Sequence, residues 1–111
     1  MIKTPNLTKM KCQACEGLED KLSAEQISNY LKFVKNWDLI ANHGIAKEFK
    51  FKNFKEALAF TNKVGNLAEK EGHHPNILLT WGKVRITSYT HKIDGLSIND
   101  FILAAKIDKL S

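Results

Sequence analysis

From Ser23 onward the apolar residues Ile27, Tyr30, Leu31 and Val34 fall three and four positions apart, the period of a helix with one buried face. Ser23 and Gln26 form a capping-box pair, so a first helix is predicted from Ala24 to Lys35. Trp37 to Ala41 reads as a short strand, Asn42-His43-Gly44 as a turn, and Ile45 to Phe51 as the returning strand. Asn53 can cap a second helix whose stripe is Phe54, Ala57, Leu58, Thr61, Val64, Leu67 and Ala68. Gly72 suits a helix end and Pro75 forbids continuation, which gives a helix about 28 Å long at ~1.5 Å per residue. Ile77 to Trp81 and Val84 to His91 then alternate as two strands around a Gly82-Lys83 turn. After a loop from Lys92 to Leu96, Ser97 caps a last helix that turns Phe101, Ile102 and Ala105 inward.

The order α-β-β-α-β-β-α predicts an α+β fold, an antiparallel four-stranded sheet covered on one face by helices. Residues 1–21 have no period and read as an N-terminal arm, leaving 22–111 as the domain. With 111 residues, 43% of them hydrophobic and 26% charged, the chain suits one globular core and not a disordered segment. The longest apolar run, Phe101 to Ala105, is too short to span a bilayer, and the first residues lack the pattern of a signal peptide. A cytoplasmic location with no membrane partner is the expectation.

A net charge of +5 raises the question of nucleic acid, most of all at Lys47–Lys55, where lysines and phenylalanines interleave. The same alternation describes a strand and a helix start with rings inward and lysines solvated, so a nucleic-acid partner is not expected. Cys12 and Cys15 form a lone CxxC, half of a zinc site, with no preceding strand to suggest a redox motif; they read as two reduced thiols.

His73, His74 and His91 are the chemistry-bearing residues the pattern brings together. Gly72 and Pro75 hold the first two on a stiff corner, and Pro75 pushes His74 towards extended geometry. A hairpin brings its outer ends together, and pairing Trp81 with Val84 puts His91 across from His74. Each histidine singly is also explained as a solvated loop residue. Glu69 lies one turn before His73, and Asp100 opens the last helix; Glu69 also fits a solvated helix face, and Asp100 also completes a capping pair with Ser97. A zinc site is disfavoured because side chains of adjacent residues in extended backbone diverge. Proton transfer fits better, since an imidazole near its ordinary pKa of ~6.5 can give and take a proton at neutral pH.

Glu69, three residues, His73-His74-Pro75, five residues, Trp81, nine residues, His91, eight residues, Asp100 resembles the signature of the pterin-4a-carbinolamine dehydratases. Likeness to that family continues through FKFKNFKEALAF, THKIDGLS and AAKID, and so covers roughly residues 22 to 108. The resemblance implies loss of water from 4a-hydroxytetrahydropterin in pterin recycling, by histidines alone, with no metal and no organic cofactor. It implies His73, His74 and His91 as the catalytic set and Glu69 and Asp100 as supporting groups, with Trp81 and Thr90 against the substrate. It also implies a homodimer or homotetramer. Family members that serve as dimerisation partners of a transcription factor, or resemble assembly chaperones, supply a non-catalytic alternative. Pterin handling in molybdenum-cofactor metabolism is another.

Overall fold

The computed structural model describes residues 6–12, 21–41 and 44–111. Cys15, Asn42 and His43, named above, lie outside the described residues. The elements are α1 (Ala24–Leu31), β1 (Asp38–Ile40), β2 (Gly44–Lys50), α2 (Phe54–Glu71), β3 (Asn76–Leu79), β4 (Lys83–Ser88) and α3 (Ile98–Asp108), with single 3-10 turns at Leu7–Lys9 and His91–Ile93. The strands form one antiparallel sheet in the order β1-β2-β4-β3. This is the expected α+β arrangement.

Residues on the helix-covered face of the sheet, Ile45, Phe49, Val84 and Ile86, are buried with Ala57, Phe60 and Val64 of α2 and Phe101, Ile102 and Ala105 of α3. Phe49 lies 4.7 Å from Phe60, ring centroid to ring centroid, so the Lys-Phe alternation does turn this ring inward. The lysines beside it point the other way or snorkel. Lys47 crosses the Phe49 ring at 4.7 Å and reaches Asp108 at 2.7 Å.

α1 is shorter than its apolar period predicts, ending at Leu31 and not at Lys35. Asp108 supplies the reason: it accepts hydrogen bonds from the Lys35 amide and from the Trp37 indole, each at 3.0 Å. The chain leaves the helix early to make those bonds and to bury Val34 and Trp37.

The β3–β4 hairpin differs from the expected register by two residues. Leu79, not Trp81, faces Val84, and the two-residue loop is Trp81-Gly82. A shift of two keeps every side chain on its own face, so Ile77 and Leu79 still face the core. The end of β2 selects this register, because the Phe51 amide donates to the Gly82 carbonyl at 2.7 Å. Trp81 is consequently a loop residue, 68% exposed, and not part of the strand.

Candidate active site

Gly72 ends α2 in the left-handed conformation (φ 68°, ψ 24°), and its amide returns to the Ala68 carbonyl at 2.9 Å. The next amide, that of His73, donates to the same carbonyl at 3.3 Å. A residue with a Cβ pays backbone strain at such a position, so glycine is what lets the chain reverse here. His73 leaves this corner with its side chain only 12% exposed.

Asp100 meets it from α3. This carboxylate is completely buried. Its Oδ1 lies 2.7 Å from His73 Nε2 and accepts a hydrogen bond from the Ser88 hydroxyl, also at 2.7 Å. Its Oδ2 accepts from the Thr90 hydroxyl at 2.8 Å and from the Ser97 amide at 3.0 Å. The Ser97 hydroxyl accepts from the Asn99 amide at 3.2 Å and stands 3.1 Å from the Thr90 hydroxyl. Asp100 thus completes the capping box of α3 and holds an imidazole at the same time. A carboxylate with two oxygens can do both because each oxygen has two lone pairs.

The loop after β4 makes this convergence possible. Thr90 and Gly95 exchange backbone hydrogen bonds, and Asp94, left-handed at φ 48°, turns the chain between them. The closed loop sets Ser97 beside Thr90 at the head of α3. At the start of β2, Gly44 allows close approach: a Cβ there would lie 2.9 Å from the Ser88 carbonyl oxygen. The strand that carries Ser88 is therefore fixed against its neighbour at the site end of the sheet.

The other predicted site residues fall out as follows. His74 Nε2 lies 2.7 Å from Glu69 Oε1, in a pair that faces solvent, with side chains 61% and 80% exposed. His91 is exposed and stands edge-on to the Tyr89 ring at 4.2 Å, one residue from Thr90. Extended past β3, the observed register sets His73 across from Thr90 and His74 across from Tyr89, whereas the expected one sets His91 across from His74. All three histidines occupy one end of the hairpin, each with its own partner. Among the described residues no three His, Cys, Asp or Glu side chains group as metal ligands.

Thr90 directs its hydroxyl to Asp100, which leaves that hydroxyl's proton committed within the protein. Trp81 sits at the far end of the hairpin, beside Phe51, Lys50 and Lys83. Seven residue steps of near-extended chain separate it from His74, roughly 23 Å at ~3.3 Å per step.

Sequence reasoning missed Ser88 and Glu71, and it named Ser97 only as a helix cap. Ser88 had a signal: it is a serine in the row Val84, Ile86, Ser88, where the alternation calls for an apolar side chain. Glu71, two residues before His73, is buried and binds the Cys12 amide at 3.0 Å and the Lys106 ammonium at 2.7 Å. Burial by itself would raise the Glu71 pKa, but the Lys106 ammonium and the Cys12 amide outweigh it and hold the carboxyl below its ordinary value. The Cys12 thiol is pushed up to about 12, by burial first and then by the Glu71 charge, so it is no nucleophile at neutral pH.

Comparison with known proteins places these residues in context. The family model described as pterin 4 alpha carbinolamine dehydratase matches residues 20–110. A protein of Alkaliphilus metalliredigens, provisionally named a pterin-4-alpha-carbinolamine dehydratase, is 55% identical over 94% of this chain and 95% of its own. A Rubrobacter xylanophilus protein with the same provisional name is 42% identical over 94% of this chain and 97% of its own. Among solved structures, a transcriptional coactivator/pterin dehydratase from Brucella melitensis superposes with a TM-score of 0.77 at 27% identity, covering 81% of this chain and 97% of that one. A pterin dehydratase-like protein identified as a RuBisCO assembly factor in the alpha-carboxysome gives 0.59 at 25% identity, covering 70% and 92%.

Proposed function

The chain belongs to the pterin-4a-carbinolamine dehydratase family, a family of hydro-lyases, and from that premise we propose that it removes water from a 4a-hydroxytetrahydropterin to give the quinonoid dihydropterin, as a cytoplasmic step of pterin recycling. The observation that carries this reading is the part-buried 2.7 Å bond between His73 and Asp100, two of the residues on which the resemblance to the family rests. Dehydration needs a proton delivered to the hydroxyl on C4a, which leaves as water, and a proton taken from N5 as the C4a–N5 double bond forms. One proton is given and one is taken, so two imidazoles suffice and the pair returns to its starting charge after exchange with solvent.

The surroundings of the two corner histidines suit different roles. His73 is shielded and its ring is fixed by a buried carboxylate, as a base that must hold one orientation requires. His74 stands in solvent beside Glu69, where it can renew its proton from water between turnovers. His91, exposed beside Tyr89, is placed to contact the substrate. Thr90 acts through Asp100 in this scheme, and Trp81 has no part in the chemistry within one chain.

The test is a dehydratase assay on chemically generated 4a-hydroxytetrahydropterin, read above the spontaneous rate. His73→Ala and His74→Ala should each lower kcat/KM by about 10²–10⁴-fold, the usual worth of positioned proton transfer, and the double variant should lose little more. His91→Ala should lose less. Asp100→Asn, whose amide can still serve the helix cap but cannot balance an imidazolium, should remain folded and lose activity comparably to His73→Ala. Full activity in His73→Ala and His74→Ala would overturn the acid–base mechanism. An intact protein with no activity on any 4a-hydroxytetrahydropterin would favour a binding role of the kind stated for the carboxysome protein.

A further inference from the structure

We infer that Ser88 is a positioning residue: its hydroxyl, acting through Asp100, keeps the proton of the His73 ring on Nε2 and leaves Nδ1 as the atom that accepts a proton. The inference deepens the proposed reading, on which His73 is a proton-transfer group.

The donors around Asp100 decide the matter. The Ser97 amide can only donate, and it donates to Oδ2. The Thr90 hydroxyl also donates to Oδ2, although Ser97 Oγ at 3.1 Å offers its proton an alternative. Among the described residues Ser88 has no such alternative: it is fully buried, and the one side-chain hydrogen bond it makes there is to Oδ1. Oδ1 is also the atom that His73 Nε2 touches. A neutral imidazole carries its proton on one nitrogen or the other, and the hydrogen bond made by one ring atom selects the tautomer.

Two arrangements compete at Oδ1. In the first, the carboxylate is an anion, Ser88 and Nε2–H both donate to Oδ1, and Nδ1 holds a lone pair. In the second, the pair has taken up one further proton from solvent: it sits on Oδ1 and points at Nε2, and the ring's own proton is carried on Nδ1. The second makes Oδ1 a hydroxyl-type oxygen and a weaker acceptor, and it strands the buried Ser88 hydroxyl with its only partner impaired. Leaving a buried hydroxyl unsatisfied is costly, so Ser88 biases the pair towards the first arrangement. Backbone geometry keeps this bias in place: Ser88 pairs with Ile45 across the sheet, and Gly44 lies against its carbonyl.

The experiment reads the ring directly. In the full chain with ¹⁵N-labelled histidine, long-range ¹H–¹⁵N spectra at a pH where the ring is neutral should show His73 Nε2 protonated and Nδ1 with a lone pair. Ser88→Ala should shift His73 measurably towards the other tautomer while the His74 and His91 signals stay put. It should also lower kcat by about tenfold, the order expected for one hydrogen bond to a charged group, with KM changed less than kcat. Ser88→Thr keeps the hydroxyl and should retain the wild-type His73 signature. It also serves if Ser88→Ala fails to fold, since loss of the signature there would contradict the role. An unchanged His73 tautomer in folded Ser88→Ala overturns the inference, whatever the activity. A shifted tautomer in a protein that proves inactive as a dehydratase upholds the role of Ser88 and overturns only the proposed reaction.

Discussion

Glu71 and Asp100 are both buried carboxylates, yet they do different work because their partners differ. Asp100 spends its lone pairs on three donors of its own surroundings and on His73. Glu71 ties α2 to Lys106 of α3 and to the Cys12 amide, two residues from the corner that carries His73. Its carboxyl titrates below the ordinary 4.5, so the folded state prefers the charged form. The stability this contributes is therefore fully present above about pH 4.5 and is lost as pH falls through the lower folded value. Glu71→Gln should cost about 1–3 kcal/mol at neutral pH, less than a fully buried pair because Lys106 keeps some solvent access. The gap to wild type in urea unfolding should close as pH falls through that lower folded value, below which both proteins present a neutral group. A gap that persists undiminished there would assign the loss to packing instead.

At the scale of the element, α2 links stability to the site through its end. Asn53 caps the start, accepting from the Glu56 amide at 2.9 Å, and Gly72 closes the finish. Both ends contribute similar stability, but only Gly72 aims a functional residue. Among the described residues, its two chain neighbours aside, no atom lies within 4 Å of a Cβ built at Gly72, so Gly72→Ala meets no clash and its cost is backbone strain, about 1–2 kcal/mol. Asn53→Ala should cost about 1 kcal/mol through the lost cap. Thermal melts should show comparable losses for the two variants. Dehydratase assays below both melting transitions should separate them, with Gly72→Ala impaired at the site and Asn53→Ala near wild type. Equal activities would show that the corner tolerates a change of backbone without moving His73.

At the scale of the whole molecule, the sheet has two edges, β1 and β3, and apolar residues exposed along them. Leu78 on β3 is 59% exposed, and Leu39 and Ile40 on β1 are 40% and 37% exposed. An unpaired edge with apolar side chains invites another strand. We propose that the protein is a homodimer or homotetramer whose sheet continues across subunits. Light scattering at micromolar concentration should give a multiple of 12.6 kDa, and Leu78→Lys should lower that mass if β3 is the joining edge. The mass of a single chain in the wild type would refute the proposal. No helix among the described residues is long and apolar enough to cross a membrane.

What the sequence determined by itself are the features whose causes are local. The capping boxes at Ser23 and Ser97, the Asn53 cap and the Gly72 stop each lie within a few residues, and the structure has all four. The two strand pairs and the motif from Glu69 to Asp100 were legible for the same reason, because period and spacing are properties of one stretch of chain. Only the tertiary structure decided the hairpin register, since the bond that selects it comes from Phe51 on another strand. It also decided that Trp81 faces solvent. The bond from His73 to Asp100 spans 27 positions and that from Cys12 to Glu71 spans 59, and no local pattern encodes either. Ser88 stands between the two cases: its polar character in a buried row was visible, but its partner was not. A buried hydroxyl must find an acceptor, and which acceptor it finds is settled by how α3 packs beneath β4.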